Sequence, residues 1–264
     1  MTVPAALLDA YARRLGFERP IRPDLATLRA LHAAHLRTIP FENSSVLFRE
    51  PIVLDQRTFV EKLAVRRRGG FCYELNGAFA TLLEGAGFDV AFLEARTYDH
   101  GQLGRRFEHL AMQVNLDEPW LVDVGFGYSF AEPLRLSTSA EQVDPVGSFR
   151  LVATDDGVDV EWRHRNGEWV AHYRFDPQPQ PLEAFGAECA YLQTSPGSPF
   201  VSGWLCSVLD GQGGTTLFGR RLIVSDGDDR EERDLSDEAL PEVLASRFGV
   251  ATRLDDGRWV PSDS

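Results

Sequence analysis

Arg66-Arg-Arg-Gly-Gly-Phe-Cys-Tyr-Glu-Leu-Asn76 is the stretch on which the reading of this chain turns. A basic run and a Gly-Gly pair give way at Cys72 to Leu75, Phe79, Leu82 and Leu83, which recur at helical spacing. The pattern predicts an amphipathic helix that opens at Cys72 and stops at Gly85-Ala-Gly87. A thiol on a first helical turn sits at the positive end of the helix dipole, which favours thiolate. Cysteine is already the best side-chain nucleophile near neutral pH, so Cys72 is a candidate catalytic group. The competing reading is a small buried hydrophobe.

A nucleophilic thiol needs a base, and the base needs an orienting group. His109 begins His109-Leu-Ala-Met-Gln-Val114, and Asp123 lies in Trp120-Leu-Val-Asp-Val-Gly125. Both segments alternate as strands do, with turn chemistry at Asn115-Leu-Asp-Glu-Pro119 between them. They read as a hairpin. An even register places His109 and Asp123 on one face as direct or diagonal neighbours; a one-residue slip separates them. A carboxylate among valines is costly without a partner. An imidazole in that role is held in one tautomer with its other nitrogen free for the thiol. Cys72, His109 and Asp123 would then share out roles as in papain-like enzymes.

Outward from this centre, the first third reads as helical. Leu7, Leu8, Tyr11 and Leu15 form a stripe ending at Gly16, and Asp24 caps a helix that stops before Pro40. Phe59 to Val65 forms a third helix. From Phe88 to about Tyr173 the period changes to alternation, punctuated by turns such as Asp155-Asp-Gly157 and Asn166-Gly167. Asp176-Pro-Gln-Pro-Gln-Pro181 reads as a linker or extended connector before a helix from Leu182 to Leu192. Strands are expected at Val201–Leu209, Thr215–Phe218 and Arg221–Val224, then a helix from Ser236 to about Phe248. The fold class is α+β: a helical bundle over residues 1–87, a central antiparallel β-barrel over 88–190 and an α/β lid over 191–264, with the site at the junction of the first two.

Composition bounds the function. The chain has 264 residues and a net charge of −13, which argues against a nucleic-acid binder. No apolar run suits a membrane span, and the first residues lack a signal-peptide pattern. Three cysteines without a Cys-x-x-Cys pair make neither a disulfide framework nor a metal site, and a free thiol suits a reducing cytoplasm. Lys62 is the single lysine among 27 basic residues. His32 and His35 share a helix face but no third ligand joins them at helical spacing, so packing is favoured over metal. Glu42 and Arg68 are expected to pair and steady the loop carrying Cys72; for Arg66 to Arg68 a mixture of surface and structural roles is favoured over a phosphate clamp. Gly211-Gln-Gly-Gly214 reads as a hairpin loop, not a phosphate loop, and Asp226-Gly-Asp-Asp229 as a solvated turn. No Gly-x-Ser-x-Gly elbow is present, and Cys189 and Cys206 read as structural.

Several blocks, in order, resemble the arylamine N-acetyltransferase family. They are Ile39-Pro-Phe-Glu-Asn43, Arg67-Arg-Gly-Gly-Phe-Cys72 with Glu74 and Asn76, Glu108-His-Leu110, Leu121-Val-Asp-Val-Gly-Phe-Gly127, Gln193-Thr-Ser-Pro196 with Ser198 and Phe200, and Gly219-Arg-Arg-Leu222. The resemblance runs from about Leu28 to Phe248, and the family's catalytic cysteine, histidine and aspartate fall on Cys72, His109 and Asp123. Two positions depart from it. Glu108 stands where the family often has threonine or a second histidine, and Tyr128 where many members have another glycine.

The resemblance implies the same three-part architecture and a two-step acyl transfer. Acetyl-CoA is the cosubstrate, no metal takes part, and the partner is a small aromatic amine, hydrazine or hydrazide. Gly125, Phe126 and Gly127 are candidate contacts for the pantetheine arm; Phe71, Phe126 and Tyr128 are candidate walls for a flat acceptor. An amide synthase moving a polyketide acyl chain and a papain-like hydrolase stay open at this point. The sequence gives no oligomeric state and does not say which arginines would hold the coenzyme phosphates.

Overall fold

Asp24 and Asp55 each cap a helix by accepting the N–H three residues on, from Thr27 and Thr58, at 2.8 Å. A computed structural model describes residues 3–164, 167–210, 213–227 and 229–262. The N-terminal helices are α1 (Ala5–Arg14), α2 (Leu25–Thr38), α3 (Ser44–Leu47), α4 (Gln56–Ala64) and α5 (Cys72–Gly85), with a short strand β1 (Phe41–Glu42) before α3. Helix α5 is not amphipathic as the spacing predicted: every residue from Cys72 to Leu83 is buried. It is the central rod on which the other helices and the sheet pack.

Then follow β2 (Asp89–Asp99), β3 (Gln102–Leu103), β4 (His109–Asn115), β5 (Pro119–Val122), β6 (Leu134–Arg135), β7 (Gln142–Asp144), β8 (Gly147–Thr154), β9 (Gly157–Arg163) and β10 (Val170–Gln180). They form a nine-stranded antiparallel sheet in the order β6-β5-β4-β2-β10-β9-β8-β7, with β3 on β2. Side chains bridge its two edges. The Gln142 amide accepts from Arg135 N (2.7 Å) and donates to Arg135 O (3.1 Å), while Asp144 accepts from Ala131 N and Glu132 N (both 2.9 Å). These bonds satisfy edge groups that would otherwise be open and leave the sheet a nearly closed barrel. The proline-rich Asp176–Gln180 stretch is not a linker. It is the end of β10, re-registered by an irregularity between Phe175 and Pro179 that accommodates imino acids lacking an N–H.

The C-terminal part contains a 3₁₀ turn (Leu182–Phe185), α6 (Gly186–Thr194), α7 (Pro199–Ser202), β11 (Leu205–Asp210), β12 (Gly213–Phe218), β13 (Arg221–Asp226), β14 (Asp229–Asp234), α8 (Leu240–Phe248), and the hairpin β15 (Thr252–Asp255) with β16 (Arg258–Pro261). A short helix thus replaces the start of the expected Val201–Leu209 strand. Helix α8 begins later than Ser236, which instead turns the chain by accepting Ala239 N at 3.3 Å. Strand β14 was illegible because Asp-Arg-Glu-Glu-Arg-Asp is exposed at every position. Asn166 of the expected Asn166-Gly167 turn, Gly211 and Gln212 of the glycine-rich loop, and Asp228 of the acidic turn lie outside the described residues; the strands flanking the first two pair antiparallel.

One hydrophobic core runs through the N-terminal helices and the large sheet, and a second joins Trp204, Leu217, Leu222, Leu244 and Phe248. Strand β1 links them. It pairs with β11 (Phe41↔Ser207) and, through Glu42 N to Gly70 O at 2.8 Å, with the turn before Cys72. Among the described residues no helix is long and apolar enough to cross a membrane.

Candidate active site

The turn before α5 is held from three sides. Gly69 must be glycine because a β-carbon there would stand 2.2 Å from the Pro40 carbonyl oxygen. Glu74 folds back so that Oε2 accepts Phe71 N–H at 3.2 Å, and Oε1 takes the Lys62 ammonium at 2.7 Å. The single lysine of the chain is thus spent on a buried ion pair under the first turn of the helix. Burial raises the Glu74 carboxyl above its ordinary range, and Lys62 opposes that shift. Arg68 lies 3.8 Å from Glu42 and 3.4 Å from Glu50, as the Glu42–Arg68 expectation required, while Arg66 is exposed beside Glu61.

Cys72 emerges at the first position of α5, 2% exposed, with Sγ directed at the Glu108 carbonyl oxygen at 3.8 Å. The hairpin register of β4 and β5 is Met112↔Val122 through Asn115↔Pro119. Extended by its even sum, it sets His109 diagonal to Asp123 on one face, and His109 Nε2 meets Asp123 Oδ2 at 2.7 Å. That leaves Nδ1 for the sulfur. Burial alone would lower His109; the charge and hydrogen bond of Asp123, then those of Cys72, outweigh it and push the ring up to about 10. Burial alone would raise Asp123; His109, Asn76 and Gly125 N–H overcome it and hold the carboxyl below its ordinary range.

Two supports of this arrangement were missed in the sequence. The Asn76 amide, one turn along α5 from Cys72, donates to Leu110 O (2.6 Å) and Asp123 Oδ1 (2.9 Å) and accepts from Val124 N (2.9 Å). His32, read as packing, holds the Asp123 backbone. Its Nδ1 lies 2.9 Å from Ala131 O, and its Nε2 lies 3.1 Å from Asp123 O and 3.3 Å from Asp123 N. Burial lowers the His32 pKa, against the opposing pull of these carbonyls. His35, its partner in the expected pair, packs edge-on against Phe79 at 5.2 Å, and neither ring nitrogen has a hydrogen-bond partner.

A cleft of about 210 Å³ opens over the sulfur, lined by Phe41, Cys72, Thr97, Glu108, His109, Gly125, Phe126, Leu192, Pro199 and Phe200. A larger cavity of about 520 Å³, lined by residues such as Arg49, Glu50 and Gln193, has neither a thiol nor an imidazole in its lining, so the smaller one holds the candidate triad. Phe126 is a cleft wall, edge-on to His109 (5.4 Å) and stacked on His172 (5.2 Å). Phe71 is not: it is fully buried behind Phe200, their rings 5.6 Å apart. Tyr128 is also outside the lining and packs toward Gly214 of β12. Phe41 and Phe200, to which the sequence reading gave no such role, line the cleft in place of Phe71 and Tyr128. Asn43 sets Phe200 in place by donating to the Phe200 and Gly203 carbonyls at 2.8 Å each. Gly125 lines the cleft, and a β-carbon on it would clash with Cys72 itself; Gly127 instead faces Ser207 of β11.

A helix bundle, a nearly closed antiparallel barrel and a cysteine at the mouth of the central helix define an N-acetyltransferase fold, and the N-acetyltransferase family model matches residues 24–256. The chain belongs to the arylamine N-acetyltransferase family. It is 35% identical over 253 residues to the arylamine N-acetyltransferase of Mycolicibacterium smegmatis, covering 92% of this chain and 91% of that one. To the Escherichia coli K12 protein it is 33% identical over 258 residues, covering 96% and 91%. The Mycobacterium marinum arylamine N-acetyltransferase in complex with CoA superposes with a TM-score of 0.87 at 30% identity, covering 92% of each chain. An arylamine N-acetyltransferase from Bacillus cereus, described as having a Cys-His-Glu catalytic triad, gives 0.83 at 25% identity, covering 94% of this chain and all (100%) of that one. In this chain the carboxylate that meets His109 is the shorter Asp123.

Proposed function

We propose that the protein transfers an acetyl group from acetyl-CoA, through a thioester on Cys72, to the nitrogen of an arylamine, arylhydrazine or hydrazide. The observation that carries this is the Cys72–His109–Asp123 line at the base of an aromatic-walled cleft. In the first half-reaction the Cys72 thiolate forms an S–C bond to the acetyl carbon, the C–S bond to coenzyme A breaks, and His109 gives its proton to the departing thiolate. In the second, the amine nitrogen bonds to the acetyl carbon, the Cys72 C–S bond breaks, and His109 takes the nitrogen's proton. The thiolate–imidazolium pair is then restored. Asp123 holds the ring and balances its charge in both. Backbone N–H groups of the first α5 turn face the developing oxyanion.

Gly125 and Phe126 are the proposed contacts for the pantetheine arm, with Gly127 behind them, and Phe126, Phe41 and Phe200 flank a flat acceptor. An aromatic amine suits this site because it stays a neutral nucleophile near neutral pH. The cleft's 210 Å³ favours an acetyl group over a long polyketide chain. A cytoplasmic setting keeps the thiol reduced. Intact-mass spectrometry tests the scheme. Acetyl-CoA should add one acetyl group at Cys72, and Cys72→Ala should stay unmodified and lose arylamine turnover. Turnover retained by Cys72→Ala would eliminate the scheme, and peptide cleavage without acetyl-CoA would favour a hydrolase.

A further inference from the structure

Among the described residues lining the cleft, the ionisable side chains are Cys72, His109 and Glu108. Cys72 and His109 belong to the triad with Asp123, and Glu108 is the acidic lining residue outside it. Its oxygens face only donors: Oε1 accepts Thr97 N (2.7 Å) and Thr97 Oγ1 (2.6 Å), and Oε2 accepts Arg105 N (2.9 Å). Both oxygens thus act as acceptors. Among the described residues, the arginines around Glu108 are each engaged by another carboxylate, Arg96 by Asp156 at 3.6 Å. Arg105 is held in a bidentate pair by Glu188 (2.6 and 3.0 Å) and lies over Tyr191, and Arg106 is held by Glu94 and Asp176. Thr97 and the Arg105 N–H fix the carboxylate, and Thr97 and Glu108 line the cleft together with Phe41 and Phe200.

We propose that Glu108 sets the charge preference for the acceptor: the site discriminates against arylamines bearing an anionic substituent and favours neutral or cationic ones. This rests on the acetyl-transfer reading and concerns only its second half-reaction, in which the amine displaces the Cys72 thiolate. A unit charge within roughly 10 Å at a half-exposed site changes rates by about three- to tenfold.

The test uses the acetylated enzyme, verified by intact mass, in single-turnover reactions with aniline, 4-aminobenzoate and 4-aminophenyltrimethylammonium. Each rate is divided by that for aniline in the same protein, and comparing wild type with Glu108→Gln cancels the intrinsic reactivity of each amine. The anion ratio should rise about fivefold in Glu108→Gln and the cation ratio should fall. Both ratios within about twofold of wild type would overturn the inference. Should the variant fail to fold, the wild type still decides: its cation-to-anion ratio should shrink as salt is raised, and a salt-independent ratio overturns the inference. Absence of any acetyl-enzyme would refute the acetyl-transfer reading, and this one with it.

Discussion

Gly125→Ala separates two reasons for a glycine beside the sulfur. An added β-carbon would lie 2.8 Å from Cys72 Cα, 3.0 Å from Cys72 O and 2.7 Å from Asn76 Nδ2. Carbon atoms pack at roughly 3.5 Å or more, so the loop must retreat from α5 by about 0.7 Å. Two of the three obstacles are backbone and cannot rotate away. Overpacking of this kind costs about 1–3 kcal/mol. The retreat also carries Gly125 N, which donates to Asp123 Oδ1 at 2.9 Å, and so disturbs the acid that aligns His109. A displacement near 1 Å at such a site can lower the rate about 100-fold. Three measurements expose the cause: the urea midpoint, acylation by acetyl-CoA, and alkylation of Cys72 by iodoacetamide, which needs no coenzyme. If the glycine is there for the protein's own packing, all three fall together. Wild-type stability and alkylation, with only the KM for acetyl-CoA raised, would refute this reasoning and assign Gly125 to coenzyme approach alone.

Lys62→Met strands the Glu74 carboxylate in the core and should cost about 3–5 kcal/mol in urea denaturation, with most of it regained in Lys62→Met/Glu74→Gln. His32→Phe removes the partners of Ala131 O and Asp123 N and should cost about 2–4 kcal/mol with a fall in kcat, whereas His35→Leu, which breaks no hydrogen bond, should stay within about 1 kcal/mol. The pH dependence of stability should carry the signature of His109. Because its pKa rises on folding from 6.5 to about 10, its contribution is complete below pH 6.5 and is lost as pH climbs through about 10. Asp123, depressed below 3.8, contributes above that value and loses its share as the pH falls beneath it. Chemical denaturation between pH 6 and 10 should show the decline, and His109→Gln should flatten it; an unchanged slope in that variant would place the coupling elsewhere.

Much of the centre was legible because its signals are local. The Gly-Gly pair, the spacing after Cys72 and the parity of the β4–β5 turn depend on neighbours within a few residues. They give a helix start and a hairpin face directly. The supports of the centre come from far along the chain. Asn76 and His32 reach Asp123 across separations of 47 and 91 residues, and a buried amide or imidazole has no period that marks its partner. The same holds for Lys62 under Glu74, for Phe200 replacing Phe71 as a wall, and for β1, two residues long, which joins the C-terminal sheet. Strand β14 escaped because an exposed charged edge has no apolar alternation to read.

By itself, then, the sequence determined the helix–barrel–sheet succession and singled out Cys72, His109 and Asp123 as candidates, since periodicity and turn chemistry are written in adjacent side chains. Tertiary structure alone decided the shape and charge of the cleft. Those depend on which distant surfaces meet over the sulfur, and burial in the shared core sets both how close they come and how strongly their charges act.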